Sequence, residues 1–274
     1  MKEKIGDAEW IEKTWNMFLT TGGFDEERRK RKFFRILPGS QRCKACYAPF
    51  QGVSSSIVRV LFGKRPSNLN PHLCNTCEDF AHHHQGGVEI ELSLLFADVR
   101  GSSKLAETMS PIEFSKLINR FYSTATQVMA DSDAIIDKII GDQVSGMYVP
   151  GFAGEQHARR AVAAAQKILQ VTGHDDPDGP WIPLGVGVHT GLAFVGSLVS
   201  TSGTSDITVL GDTANTAARL STRAGIGEIL ISESAYQHSG YSRPEKLEQR
   251  TLDLKGKDNQ ITVNVLTNHV VVEN

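Results

Sequence analysis

From Val88 onward the chain alternates short apolar runs with stretches of helical periodicity. Leu92-Ser93-Leu94-Leu95-Phe96 predicts a strand that breaks at Ala97-Asp98-Val99-Arg100-Gly101, with Ser102 or Ser103 placed to cap the next helix. Ser110-Pro111-Ile112-Glu113 combines a capping box with proline at the first helical position. Phe114, Leu117, Ile118, Phe121, Ala125 and Val128 then mark one buried helical face. Residues 134–140 and 143–149 predict a hairpin turning at Gly141-Asp142, and residues 157–171 an alanine-rich helix. Two strands are expected over 184–189 and 192–198 around Thr190-Gly191, a further strand over 206–210, and a helix over 213–223 that ends near Gly225. A strand over 228–231, a short helix from Ser232 or Glu233, and a hairpin of 252–257 with 261–266 complete the pattern. Strands and helices mix, and the hairpins demand antiparallel pairing. The fold class is α+β rather than a doubly wound parallel sheet.

Upstream the texture differs. Ala8, Ile11, Trp15, Phe18 and Leu19 share one helical face that Gly22-Gly23 ends, and Arg28 to Lys32 is a run of five positive charges. No periodic aromatics accompany that run, so a solvated helix face or linker is favoured over nucleic-acid contact. Residues 41–87 hold all four cysteines, as Cys43-x-x-Cys46 and Cys74-x-x-Cys77. His82-His83-His84 reads as exposed linker, with one of them available as a replacement ligand. Gly86-Gly87 marks a boundary. The organisation expected is a helical and basic segment over 1–40, a cysteine module over 41–87 and a larger domain over 88–274.

A net charge of −2 and a pI near 6.5 give no overall signature for nucleic acid or an anionic membrane. No apolar run approaches the roughly 20 residues of a membrane span, and the first residues lack an apolar signal core. A cytoplasmic protein is expected. In a reducing compartment the two C-x-x-C pairs favour metal ligation over disulfides. Four thiolates can meet at one tetrahedral zinc ion; an iron–sulfur cluster or a reversible dithiol are the alternatives.

Asp98, at the mouth of a buried strand, and Asp142, at a hairpin tip, each read alone as a cap or turn residue. Together they suggest a two-carboxylate site for a divalent metal. Asn215 and Arg219 lie four apart on one predicted helix face, so both can reach one ligand.

Five segments in order carry a resemblance: Phe96 to Gly101, Lys138 to Asp142, Gly185 to Gly191, Gly211 to Leu220, and Leu254-Lys255-Gly256-Lys257. In these residues 91 to about 270 resemble the catalytic domain of the class III nucleotidyl cyclases. The resemblance implies a ferredoxin-like, palm-type α+β domain that cyclises a nucleoside triphosphate. It implies that Asp98, Asp142 and the carbonyl of Val99 hold two Mg²⁺ or Mn²⁺ ions, that Asn215 orients the ribose, that Arg219 stabilises charge developing at phosphorus, and that Lys255, or else Lys257, binds the terminal phosphates. Lys138 stands where adenylyl cyclases carry lysine and guanylyl cyclases glutamate; it can donate to adenine N1. Thr208 stands at the second base-reading position, where the mammalian-type adenylyl pattern has aspartate, and can accept from the adenine amino group. ATP is thus the expected substrate, with GTP the alternative. Metal-binding and transition-state residues come from opposite subunits in this family, and this chain carries both sets, which implies a homodimer. The competing readings are a catalytically silent nucleotide-binding domain, which the complete set Asp98, Asp142, Asn215 and Arg219 argues against, and a nucleic-acid-binding zinc protein, which leaves the second domain unexplained.

Overall fold

A computed structural model describes residues 5–23, 25–39, 41–199, 203–242, 247–253 and 260–267. The chain divides into two compact units. The first comprises Met1–Ile90, Val149–Gly154 and Ala193–Leu210, so it gathers two later segments besides the N-terminal region.

In the first unit, helices α1 (Ile5–Thr21) and α2 (Asp25–Ile36) precede α3 (Val53–Phe62) and α4 (Asn75–His83). Trp15 and Leu19 are fully buried. The Trp15 ring meets Phe80 of α4 edge-on at 5.1 Å, and its Nε1 donates to the His84 carbonyl at 2.8 Å. The basic run lies on α2, and it is not uniformly solvated. Arg31 is buried, stacked over Tyr47 at 4.6 Å and Phe152 at 4.1 Å, with Nε donating to the Ala45 carbonyl. Guanidinium over aromatic faces offsets the cost of burying the charge. Arg28 pairs with Asp25, and Lys30 with Glu26 and Glu27, all on the same helix. The histidines at the end of α4 pack locally: His84 stacks on Phe80 and Trp10, and His83 bonds the Asp79 carbonyl.

Strand β1 (Gly86–Val99) runs from the first unit into the second. It passes straight through Asp98, where the sequence predicts a break. Helix α5 (Ser102–Thr108) follows, capped by Gly101 in the left-handed region (φ 66°) with no side-chain cap bond, so neither Ser102 nor Ser103 is the cap. Helix α6 (Pro111–Asp131) starts as predicted: the Ser110 side chain accepts from Glu113 N, and Glu113 returns a bond to Ser110 N. Ile118, Phe121, Ala125 and Met129 form its buried face, while Phe114, Leu117 and Val128 are only half-buried. The hairpin β2 (Ile135–Ile140) and β3 (Gln143–Tyr148), the short α7 (Pro150–Ala153), and α8 (His157–Val171) come next.

Strand β4 (Leu184–Val199) is one strand, not two. Thr190 is buried, with its hydroxyl 2.6 Å from Ser93 of β1, so the predicted turn is held in the sheet beside β1. After β5 (Ser205–Leu210) come α9 (Asp212–Arg223), β6 (Ile229–Ser232), α10 (Glu233–Ser239), β7 (Glu248–Leu252) and β8 (Ile261–Leu266). The final hairpin starts earlier than predicted, with Leu252 opposite Ile261.

The sheet order is β2-β3-β1-β4-β6-β8-β7, with β5 paired to β4. The pairing is mixed, since β4 and β6 run parallel while β1–β3, β2–β3, β4–β5, β6–β8 and β7–β8 are antiparallel. This bears out the α+β expectation. On one face Leu220 of α9 and Ala224, the residue that caps its end, pack with Leu230, Val263 and Val265. Ile229 and Ile231 alternate to the other face, as strand geometry requires.

Candidate active site

The register of β1 against β3 builds the carboxylate pair. Asp98 stands opposite Gln143, and Val99 N donates to the Asp142 carbonyl at 3.0 Å. Gly141, with φ 62°, makes the hairpin turn that places Asp142 at its tip. Asp98 is buried and Asp142 half-buried.

Two residues to which the sequence alone assigns no site role organise this pair. The Arg100 guanidinium forms an ion pair with Asp98 and donates through Nη1 to the Thr222 carbonyl at 2.7 Å. Burial pulls the Arg100 pKa down, and the nearby Asp142 charge opposes that pull. One cation therefore sits within the influence of both carboxylates. Gln143 Nε2 donates to Asp98 Oδ2 at 3.1 Å and to Ser221 Oγ of α9 at 3.2 Å. Asp98 and Arg100 are two apart, and side chains two apart in extended backbone share a face; that spacing was the available signal. Nothing local foretold Gln143, because its role depends on cross-strand register.

An open cleft of about 650 Å³ adjoins Asp142, lined among others by Ser102, Ser103, Asn119 and Tyr122. The Tyr122 hydroxyl donates to the Gly141 carbonyl, and burial followed by the Asp142 charge pushes its pKa up.

Asn215 and Arg219 lie on α9, Asn215 exposed and Arg219 half-buried, while Thr216, Ala217 and Leu220 face inward. The position of α9 follows from two glycines of β4. A Cβ on Gly187 would lie 2.4 Å from Ser221 N and 2.5 Å from the Ala217 carbonyl, and one on Gly185 would lie 2.8 Å from the Ala224 carbonyl. The helix rests directly on the strand backbone. Gly187→Ala is therefore expected to push α9 outward, costing about 1–3 kcal/mol of stability. The check is a lowered denaturant midpoint.

Lys138 is exposed at the outer end of β2, beside exposed Ile139 and Ile140. Thr208 is buried on β5, in the first unit, opposite Gly196 of β4. Lys255 and Lys257 lie outside the described residues.

The four cysteines converge as their spacing predicts, with their sulfurs all within 4.8 Å of one another. Cys46 and Cys74 sulfurs are 3.7 Å apart, and Cys74 N donates to Cys43 Sγ at 3.3 Å. Cys74 precedes α4, so Cys77 falls in its first turn. No histidine joins the cluster among the described residues. Burial raises the Cys43 thiol, but bonds from Cys46, Cys74 and Cys77 outweigh it and hold Cys43 well below the usual thiol range; Cys46 and Cys77 are pushed well above it, mainly by Cys43. The cluster cannot ionise fully without a cation. Lys64, itself buried, has its pKa raised by the charges of Cys46, Cys77 and Cys74, which outweigh the effect of burial.

Residues 88–267 match the family model described as the adenylate and guanylate cyclase catalytic domain. An adenylate cyclase of Anabaena cylindrica is 30% identical over 184 residues, 63% of this chain and 36% of that protein. Guanylate cyclase 32E of Drosophila melanogaster is 29% identical over 152 residues, 53% of this chain and 13% of that protein. The chain thus spans little more than a third of the first of these relatives and 13% of the second. Among solved structures, the guanylyl cyclase Cya2 aligns with a TM-score of 0.59 at 23% identity, covering 66% of this chain and 93% of that one. The adenylyl cyclase CyaB from P. aeruginosa aligns with a TM-score of 0.56 at 22% identity, covering 68% and 98%. These structures share the fold.

Proposed function

This chain belongs to the family of adenylate and guanylate cyclase catalytic domains, and from that premise we propose that it converts ATP to 3′,5′-cyclic AMP and pyrophosphate. The observation that carries the reading is the β1–β3 register, which sets Asp98 beside Gln143 and ties Val99 to Asp142 at the rim of a cleft. The site suits divalent cations, since its donors are hard oxygens and a guanidinium already lies under the influence of both carboxylates. Asp98, Asp142 and the Val99 carbonyl would hold two Mg²⁺ or Mn²⁺ ions. When bound, such ions lower the pKa of the attacking 3′-hydroxyl and neutralise charge on the triphosphate. The ribose oxygen attacks the α-phosphorus and pyrophosphate departs. Asn215 orients the ribose, Arg219 stabilises the charge that develops at phosphorus, and Lys255 binds the terminal phosphates. Two chains complete each other's sites in a homodimer, and the exposed Ile139 and Ile140 supply apolar surface for such a contact.

Relatives at about the same identity include both adenylate and guanylate cyclases, so base choice rests on Lys138 and Thr208. Lys138 donates to adenine N1 and Thr208 accepts from the amino group. Purified protein supplied with Mg²⁺ or Mn²⁺ should make cyclic AMP from ATP faster than cyclic GMP from GTP; equal or reversed rates refute the assignment. Lys138→Glu should weaken ATP use by about tenfold or more, because it replaces a charged donor to adenine N1 by an acceptor, and a hydrogen bond to a charged group is worth about 1.5–3 kcal/mol. Unchanged ATP kinetics in that variant would make Lys138 a framework residue.

The cysteine module over 41–87 takes one zinc ion. A tetrahedral ion with Zn–S bonds of about 2.3 Å separates its sulfurs by about 3.8 Å, close to the Cys46–Cys74 distance of 3.7 Å. Thiolates on separate irons of a cluster would be spread more widely. Reduced thiolate ligation suits the cytoplasm, and the module precedes a catalytic domain that begins at 88 and follows the helical segment over 1–40.

A further inference from the structure

The cysteine module grips β5, the strand that carries Thr208. Lys44, between Cys43 and Cys46, places Nζ 2.7 Å from Asp206 Oδ1. Asn70, four residues before Cys74, donates through Nδ2 to the Ser205 carbonyl at 2.9 Å and to Asp206 Oδ1 at 3.2 Å. Its Oδ1 meanwhile accepts from His72 N, two residues before Cys74. Glu78, next to Cys77, accepts from Ser205 Oγ at 2.9 Å. Each contact thus originates within four residues of a cysteine of the cluster, and all converge on two consecutive residues of β5. Lys44, Asn70, Glu78 and Ser205 are all buried, so the bonds to Ser205 are shielded from competing water, while the Asp206 carboxylate that Lys44 meets is partly exposed.

A second path reaches the same strand. Thr208 pairs with Gly196, and a Cβ on Gly196 would lie 2.2 Å from the Gly86 carbonyl. The segment leaving α4 is pressed against the strand position opposite Thr208. Two residues beyond Thr208, β5 ends, and Gly211 leads into the helix of Asn215 and Arg219.

We propose that Lys44, Asn70 and Glu78 are positioning residues through which the metal-loaded cysteine module sets β5, and with it the base selectivity of Thr208. The inference rests on the reading of Thr208 as a base contact. The module then acts as a gauge: with its metal in place the strand discriminates adenine from guanine, and with the metal removed it does not.

The test compares full-length wild type with Asp206→Asn, which keeps the shape and the bond from Asn70 but removes the charge, and with Lys44→Met. For each, kcat/KM and dissociation constants for ATP and for GTP are measured, with metal content and thermal unfolding alongside. The expected result is an ATP-to-GTP preference reduced by about tenfold, the scale of one misplaced hydrogen bond, with kcat for ATP less affected and the metal retained. Lys44→Arg should restore the preference, which a merely structural role would not require. Retained preference in both charge-removing variants at wild-type metal content overturns the inference. If wild type makes no cyclic nucleotide, the cyclase reading fails, and the ratio of the two dissociation constants still decides the strand coupling. A chain that binds neither nucleotide overturns both.

Discussion

Asp98→Asn and Asp142→Asn should each abolish cyclic-nucleotide synthesis, with a fall of about a thousandfold or more. Metal stabilisation of transition-state charge amounts to several kcal/mol, and each 1.4 kcal/mol or so is a factor of ten in rate. Asparagine is the informative replacement. Asp98 is buried and paired with Arg100, and it accepts from Gln143. Both replacements remove the counter-charge of Arg100, but alanine also leaves Gln143 and the guanidinium without an acceptor, a cost of about 1–3 kcal/mol that mixes stability with catalysis. The amide keeps the Gln143 contact if its oxygen faces that side. Steady-state assays at saturating Mg²⁺ and Mn²⁺, with unfolding curves on the same samples, separate the effects. Near-normal turnover in either variant would remove the metal assignment. The same variants test the shared site. Asp98→Asn chains mixed with Arg219→Ala chains should regain activity, because one of the two sites in a mixed dimer carries neither defect. Demonstrated subunit exchange without recovery would mean that each chain builds its site alone.

Cys74→Ser should lose the metal and unfold the cysteine module. Cys74 is fully buried, its sulfur 3.7 Å from that of Cys46, and it stands at the head of α4. A serine hydroxyl is a poor substitute for a thiolate on zinc. The remaining three thiols would be buried side by side without the cation that lets them ionise. Metal affinity in such sites is folding free energy, on the order of 10 kcal/mol in zinc-finger peptides, so the expected consequence is large. Elemental analysis should fall from one zinc per chain towards none, and far-ultraviolet circular dichroism should show loss of helix. A colourless wild type agrees with zinc, whereas visible absorption from iron and sulfide would replace that assignment. A Cys74→Ser protein with full metal content and an unchanged melting temperature would refute the four-thiolate site.

Local pattern determined much of this chain. The capping box at Ser110 and Glu113 gave the start of α6, and the alanine-rich periodicity over 157–171 gave α8. The C-x-x-C pairs announced the thiol cluster, and the five motif segments announced the family. These features are readable because a cap, a helical face or a ligand pair is completed by residues only a few positions apart. Tertiary structure decided the rest. Strand β4 runs unbroken through Thr190-Gly191 because Thr190 is bonded to Ser93 of β1, a residue far away in sequence. Arg31 is buried in spite of its charged neighbours because Tyr47 and Phe152 enclose it. The glycines of the Gly185–Gly191 segment read as a motif, but their reason, the backbone of α9 lying against β4, exists only once helix and strand are packed. Gln143 joins Asp98 to Ser221 through cross-strand register, and Thr208 sits on a strand held by the cysteine module through Asp206 and Ser205. Burial and hydrogen bonding between distant segments depend on which surfaces meet, and no short window of sequence contains both partners.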